Sequence, residues 1–357
     1  MAVTEQLVST SRLRVHTRLA GPDGAPPVVL VHGNVSSGAF FTSLMEGLAD
    51  RFRVIAPDLR GFGDSEPAPI DATRGVRDFA DDLRALLMAL GLSDRPAVLL
   101  GWSVGGAVVM QYAVDHPGRA AGLVLESPMS PYGFGGTRDV RGTPCAPDFA
   151  GSGGGTANAE FARLIAAGER GRENPVAPRN VMNQFYFKPP FALAPEIEEA
   201  LVTAILKTRI GEDHYPGDVV PSSHWPGVAP GTRGMNNAIS PKYTDLSGFA
   251  GIEPRPPVLW IRGADDAIVS DASLFDLANL GKLGVVPGWP GEEVAPPQPM
   301  IGQMRAVLDA YAAAGGQVRE EVLENCGHSP HLEHPKRFLA LVRDFAGAVL
   351  GKSSAAS

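Results

Sequence analysis

Cysteine is scarce: the 357 residues include two, Cys145 and Cys326, far apart in the chain. Two thiols at that separation form neither a disulfide framework nor a metal-ligand spacing, so both are read as reduced and no metal is expected. A block of Lys or Arg is also missing. The 31 basic residues are outnumbered by 39 acidic ones, for a formal charge of −8. A surface that tracks phosphates needs the opposite balance, which argues against nucleic acid as a partner. No apolar run of 18 residues escapes interruption by charge, Gly or Pro, so neither a spanning helix nor a membrane partner is expected. The opening MAVTEQLVST has no basic segment followed by an apolar one, and a cytoplasmic location is the expectation that follows.

Glycine and proline are abundant instead, at 42 and 32 residues, about a fifth of the chain against roughly 12% in average usage. They are unevenly placed. Residues 1–126 alternate compact apolar runs with helical spacing: Val28–Val31, Arg53–Ala56, Val98–Leu100 and Leu123–Leu125 read as strands buried on both faces. Phe79, Leu83, Leu86, Leu87 and Leu90 recur at helical spacing, with Asp81, Asp82 and Arg84 on the other side and Gly91 as a stop. The same alternation returns in residues 245–350, with strands at Val258–Ile261 and Val318–Leu323 and helices around Met304–Tyr311 and Phe338–Phe345. This predicts an α/β chain with a doubly wound, mostly parallel sheet.

Residues 127–244, rich in Gly and Pro and with helical stretches only near 158–168 and 195–210, read as an insertion between two halves of that sheet. Without it about 240 residues remain, a usual size for one α/β domain. A second irregular patch, 281–299, either folds over the cleft or forms a subunit contact, as in a homodimer. Residues 351–357 are expected to be disordered, and Gly151–Thr156, which lacks the Lys of a phosphate loop, is expected to be flexible.

Gly101-Trp102-Ser103-Val104-Gly105 fits G-x-S-x-G between a strand and a helix. A serine on so tight a turn stands at the carboxyl end of the sheet beside a helix N-terminus, where developing negative charge is favoured. Its hydroxyl needs a base, and His328 follows the last strand, with His331 and His334 as competitors. A carboxylate is available from Asp265 or Asp266 after the strand at 258–261, and the order Ser103, Asp266, His328 matches the chain order of such a triad. Val104 and the Asn34 or Val35 region after the first strong strand supply backbone N–H groups for an oxyanion. His32 reads as an organiser of that loop, as do Asp58 and Arg60 of theirs.

On HGNVSSG (32–38), APDLRGFGDS (56–65), GWSVGG (101–106), LWIRGADDAIV (259–269) and CGHSPHLEHP (326–335), the chain resembles the α/β-hydrolase superfamily, in its branch with an inserted cap. The resemblance implies the α/β-hydrolase fold with a cap domain at 127–244 and Asp266 as the acid, with Asp265 as fallback. Some members of the superfamily, including those resembling zearalenone lactonases, take the acid from the strand that Glu126 ends, which makes Glu126 an alternative acid. The HGN stretch is similar to that of haloalkane dehalogenases and epoxide hydrolases, but Ser103 stands where those have aspartate. The chemistry implied is a cofactor-independent cleavage of a carboxylic ester or lactone through an acyl-enzyme. The alternatives are a C–C bond hydrolase of vinylogous diketones and a small-molecule receptor on the same fold. The insertion holds 11 of the 25 aromatic residues, which suggests an apolar roof. Trp102, Met129, Tyr132, Phe185, Tyr186, Phe187 and Trp225 are the pocket candidates, for a mainly apolar small molecule.

Overall fold

Short runs of Val, Leu and Ile form the central strands because both of their faces are covered. In a computed structural model describing residues 2–353, eight strands form one sheet: β1 (Thr4–Ser9), β2 (Arg14–Ala20), β3 (Pro27–Val31), β4 (Arg53–Pro57), β5 (Ala97–Trp102), β6 (Ala120–Glu126), β7 (Val258–Gly263) and β8 (Val318–Leu323). Their order is β1-β2-β4-β3-β5-β6-β7-β8. β1 and β2, and β2 and β4, pair antiparallel, and the other neighbours pair parallel.

Successive strand residues point to opposite faces. Val28, Leu30, Val98 and Leu100 join one buried cluster, while Val29, Val31 and Leu99 join the other. Helices α1 (Thr42–Leu48) and α8 (Pro335–Ser353) cover the first face through Leu44, Met45, Phe338 and Val342. Helices α2 (Arg77–Ala89), α3 (Val104–Asp115) and α7 (Met300–Ala313) cover the second through Phe79, Leu83, Val108 and Met304. Full burial of each large side chain contributes roughly 1.5–3 kcal/mol relative to exposure. Gly91, at φ 71°, ends α2 as expected. Asp82, expected on the solvent side of α2, is buried instead, because Arg60 and Arg12 meet its carboxylate at 2.6 Å each.

From β3 the chain turns to β4 on one side and returns to β5 on the other. That reversal opens a crevice at the carboxyl ends of β3 and β5, where α/β sheets bind ligands. Residues 127–257 separate β6 from β7 and contain α4 (Ala159–Ala166), α5 (Pro195–Leu206) and two small two-stranded sheets. They also hold a single π-helical turn, Met182–Tyr186. The stretch expected to be flexible, Gly151–Thr156, is packed. Gly154 N–H donates to Asn237 Oδ1 at 2.8 Å, and a Cβ on Gly153 would lie 2.5 Å from the same oxygen, so glycine is needed for the close approach.

The patch at 281–299 begins in the last residues of α6 (Leu277–Lys282) and packs on the 127–257 segment. Trp225 Nε1 donates to Pro287 O at 3.1 Å, and Gln298 bonds both Gly133 O and Gly135 N. Helix α8 runs to Ser353, into the stretch expected to be disordered. Residues 354–357 lie outside the described residues. Among the described residues no helix is long and apolar enough to cross a membrane.

Candidate active site

Ser103 joins β5 to α3 with φ 58° and ψ −120°, a conformation that non-glycine residues rarely adopt. The surroundings hold it there. Its N–H donates to Glu126 O at 2.9 Å, and its carbonyl accepts from Gly106 N at 2.9 Å and Met129 N at 3.1 Å. The flanking glycines are required by contact. A Cβ on Gly105 would lie 2.1 Å from Val31 O, and one on Gly101 would lie 2.2 Å from Gly105 O. Val104 is the first residue of α3, where the helix offers its N–H no acceptor.

His328 sits on the loop after β8, and its Nδ1 meets Asp266 Oδ2 at 2.8 Å. The other oxygen of Asp266 accepts from Ile268 N at 2.8 Å and Val269 N at 2.9 Å, so the carboxylate is fixed at both ends. With Nδ1 engaged, Nε2 is the ring nitrogen left to act on a substrate, and both His328 and Ser103 line one cavity. Trp102 Nε1 donates to His328 O at 2.8 Å, which ties the His328 loop to the serine turn.

The two other candidate carboxylates go elsewhere. Asp265 is exposed and paired with Lys188 Nζ at 2.8 Å. Glu126 is buried and accepts from His331 N at 2.9 Å, with His331 Nδ1 at 2.7 Å. His331 is thereby occupied behind the site, and His334 faces Asn325 O on the exterior. Glu333, which sequence reasoning did not single out, accepts from Gly327 N and Lys188 N at 2.8 Å each and so anchors the start of the His328 loop.

His32 organises its loop: Nδ1 donates to Gly33 O at 2.8 Å and Nε2 accepts from Leu59 N at 2.8 Å. Complete burial drives its pKa down to about 4, so it is neutral near pH 7. Burial opposes the charge on Asp58, but hydrogen bonding from His16 and the charge of Arg18 outweigh it and hold Asp58 at about 2. Beyond His32, the backbone N–H of Val35 is taken by Asn34 Oδ1 at 3.0 Å. Of the two alternatives on this loop, Asn34 is the one whose N–H is left for a ligand.

The cavity has a volume of about 310 Å³ and holds Ser103, His328, Asn34, Val35, Val104, Trp102, Met129, Phe185 and Tyr186 together on its wall. That is the lower end of the usual range for small-molecule sites, roughly 300–1,000 Å³. Three expected wall residues lie outside it. Phe187 is buried in the core against Phe191, Tyr132 packs over Gly142, and Trp225 reaches the 281–299 patch. Aromatic content drew attention to the segment but could not say which ring lines the cavity.

Sequence reasoning missed Phe161, Tyr215, Asn236, Ile268, Phe275 and the leucines 274, 277 and 280, all on the wall. The helical spacing at 158–168 was a usable signal for Phe161. Nothing local marks Asn236. The wall contains no Asp, Glu, Lys or Arg. Burial pushes the phenols of Tyr186 and Tyr215 well up, so both stay neutral.

Among the described residues, one group could bring metal-ligand atoms together, His16, Asp58 and Asp64. Asp58 is already bonded to His16 and Arg18, and Asp64 to Lys207, so the group reads as an ion-pair network away from the cavity. Both cysteines are unpaired, and burial raises both thiols, Cys145 to about 11.

A family model described as the alpha/beta hydrolase fold matches residues 26–143. The 30 kDa subunit of magnesium-chelatase from Rhodobacter capsulatus is 39% identical over 97 residues, 27% of this chain and 33% of the relative; the chain thus spans only about a third of that relative's length. A pimeloyl-[acyl-carrier protein] methyl ester esterase from Aeromonas hydrophila subsp. hydrophila is 23% identical over 331 residues, covering 90% of this chain and 96% of the relative. Among solved structures, a thermophilic esterase from Thermogutta terrifontis superposes with a TM-score of 0.59 at 23% identity, over 97% of this chain and 99% of that one.

Proposed function

We propose that the chain, which has the α/β-hydrolase fold and matches the model of that family over residues 26–143, is a serine hydrolase. On this reading it cleaves a carboxylic ester or lactone of an uncharged, mainly apolar small molecule through an acyl-enzyme. The observation that carries the proposal is the Asp266–His328 pair at 2.8 Å, on the wall of the same cavity as the strained Ser103. Ser103 Oγ attacks the carbonyl carbon while His328 Nε2 takes its proton. Asp266 holds Nδ1–H and stabilises the imidazolium that forms. The N–H groups of Asn34 and Val104 receive the oxyanion. His328 then returns the proton to the leaving alcohol, and a water activated by the same nitrogen releases the acid. The esterase relative over 90% of the chain supports ester chemistry in particular.

Labelling with a fluorophosphonate followed by peptide mapping tests the assignment. The label is expected on the Ser103 peptide of the wild type and is lost in Ser103→Ala. A folded wild type that stays unlabelled at Ser103 overturns it.

A further inference from the structure

We infer that Tyr186 and Asn236, both from the segment between β6 and β7, are positioning residues that hold the oxyanion loop in its working shape. The inference rests on the acyl-transfer reading above and adds to it where the loop's geometry comes from. Val35 is β-branched and has φ 48°, a left-handed conformation that such a residue leaves unless its surroundings prevent it. Both polar groups of Val35 are held. Its carbonyl accepts from the Tyr186 hydroxyl at 3.1 Å across 151 residues of chain. Its N–H is held by Asn34 Oδ1, and the amide of Asn34 is in turn oriented by donating from Nδ2 to Asn236 Oδ1 at 3.1 Å, across 202 residues.

Nothing in the core supplies either of these two bonds. The Asn34 N–H lies on the peptide whose Gly33 carbonyl is held by His32 Nδ1 and Ser36 Oγ at 2.8 Å each; the two peptides that follow it, on either side of Val35, are fixed by the two side chains from the segment between β6 and β7. Tyr186 is buried, with its ring against Phe40 and Trp102, so its hydroxyl has a defined place. Asn236 stands on the short turn Met235–Ala238, and the adjacent Asn237 is buried and anchors that turn through Asp218 and Arg233. Losing either bond lets Val35 relax towards negative φ, which shifts Asn34 on the far side of its His32-anchored peptide and with it the N–H that faces the forming oxyanion. The substrate's ground state, bound by the apolar wall, is little affected.

The test compares wild type, Tyr186→Phe and Asn236→Ala with a p-nitrophenyl ester, an alkylboronic acid and the alcohol of matching chain length. The boronic acid forms a tetrahedral adduct on Ser103 and needs the oxyanion donors; the alcohol does not. Each variant is expected to lower kcat on the order of tenfold, with KM within about threefold. Boronic acid affinity should fall in parallel with kcat, and alcohol affinity should stay unchanged. A raised KM with kcat retained, or boronic acid affinity equal to wild type, overturns the inference and makes these residues plain wall. Tyr186→Phe removes one oxygen only, so it decides the matter alone if Asn236→Ala does not fold. If the fluorophosphonate labels wild-type Ser103 and the variants still keep kcat, only this inference falls; an unlabelled wild type removes the reading beneath it as well.

Discussion

Asp265 and Asp266 are neighbours in the chain, and their side chains meet different worlds: one faces solvent and Lys188, the other two backbone N–H groups and His328. The resemblance pointed to Asp266, but residue spacing alone could not, since either carboxylate follows the strand. Glu126 also met the description of a buried acid at a strand end. Its orientation towards His331 depends on where the loop at 327–334 runs, which no local pattern encodes. Asp266→Asn is accordingly expected to lower kcat by about 10³–10⁴-fold through loss of the imidazole's tautomer and orientation. Glu126→Gln is expected to retain far more activity and to lose on the order of 1–3 kcal/mol of stability, from a disturbed buried bond. Measuring kcat and urea midpoints of both variants side by side checks this; a larger kcat loss in Glu126→Gln reverses the assignment.

Elements buried on both faces were legible in the sequence because a continuous apolar run is what such burial requires; β3 to β6 and β7 are of this kind. β1 and β2 were not. β1 lies at the sheet edge and is nearly all exposed, while β2 buries His16, Thr17 and Arg18, whose partners Asp58 and Glu5 lie elsewhere in the chain. The π-helical turn at 182–186 also escaped, because one wide turn has no repeat to display. The loop after β3 was legible as an organised turn, and its central histidine gives it a pH signature. His32 has a pKa of about 4 when folded, against 6.5 as the reference value. The unfolded chain therefore takes up a proton first as pH falls. The stability contributed by neutral His32 is complete above pH 6.5 and is lost progressively towards pH 4, by on the order of 3 kcal/mol. Asp58, held at about 2, loses its contribution only in a lower window, beginning below pH 4. Denaturant midpoints between pH 7 and 4 should fall less steeply in His32→Gln than in wild type; parallel curves would contradict the assignment.

Over the whole molecule, a net charge of −8 surrounds a cavity whose wall has no carboxylate, Lys or Arg. A carboxylate on the substrate meets repulsion on approach and desolvation without a partner inside. The methyl ester of hexanoic acid is therefore expected to exceed the monomethyl ester of adipic acid in kcat/KM by about 100-fold or more. Equal values for this pair would show that the acyl chain does not enter the cavity. The cavity itself was only half legible: its floor comes from motifs at strand ends, while the rest of its wall is assembled from side chains scattered between residues 129 and 280. Phe185 and Tyr186 were found by composition, and Phe187, next in line, faces the core. The wall's double duty also bears on anyone redesigning this protein for a bulkier compound. On the proposed reading, enlarging the chamber by trimming Tyr186 or Asn236 would loosen the loop that receives the oxyanion. The wall made by Leu274, Leu277 and Leu280 makes neither bond to Val35 or Asn34, so space can be made there while the machinery is left intact.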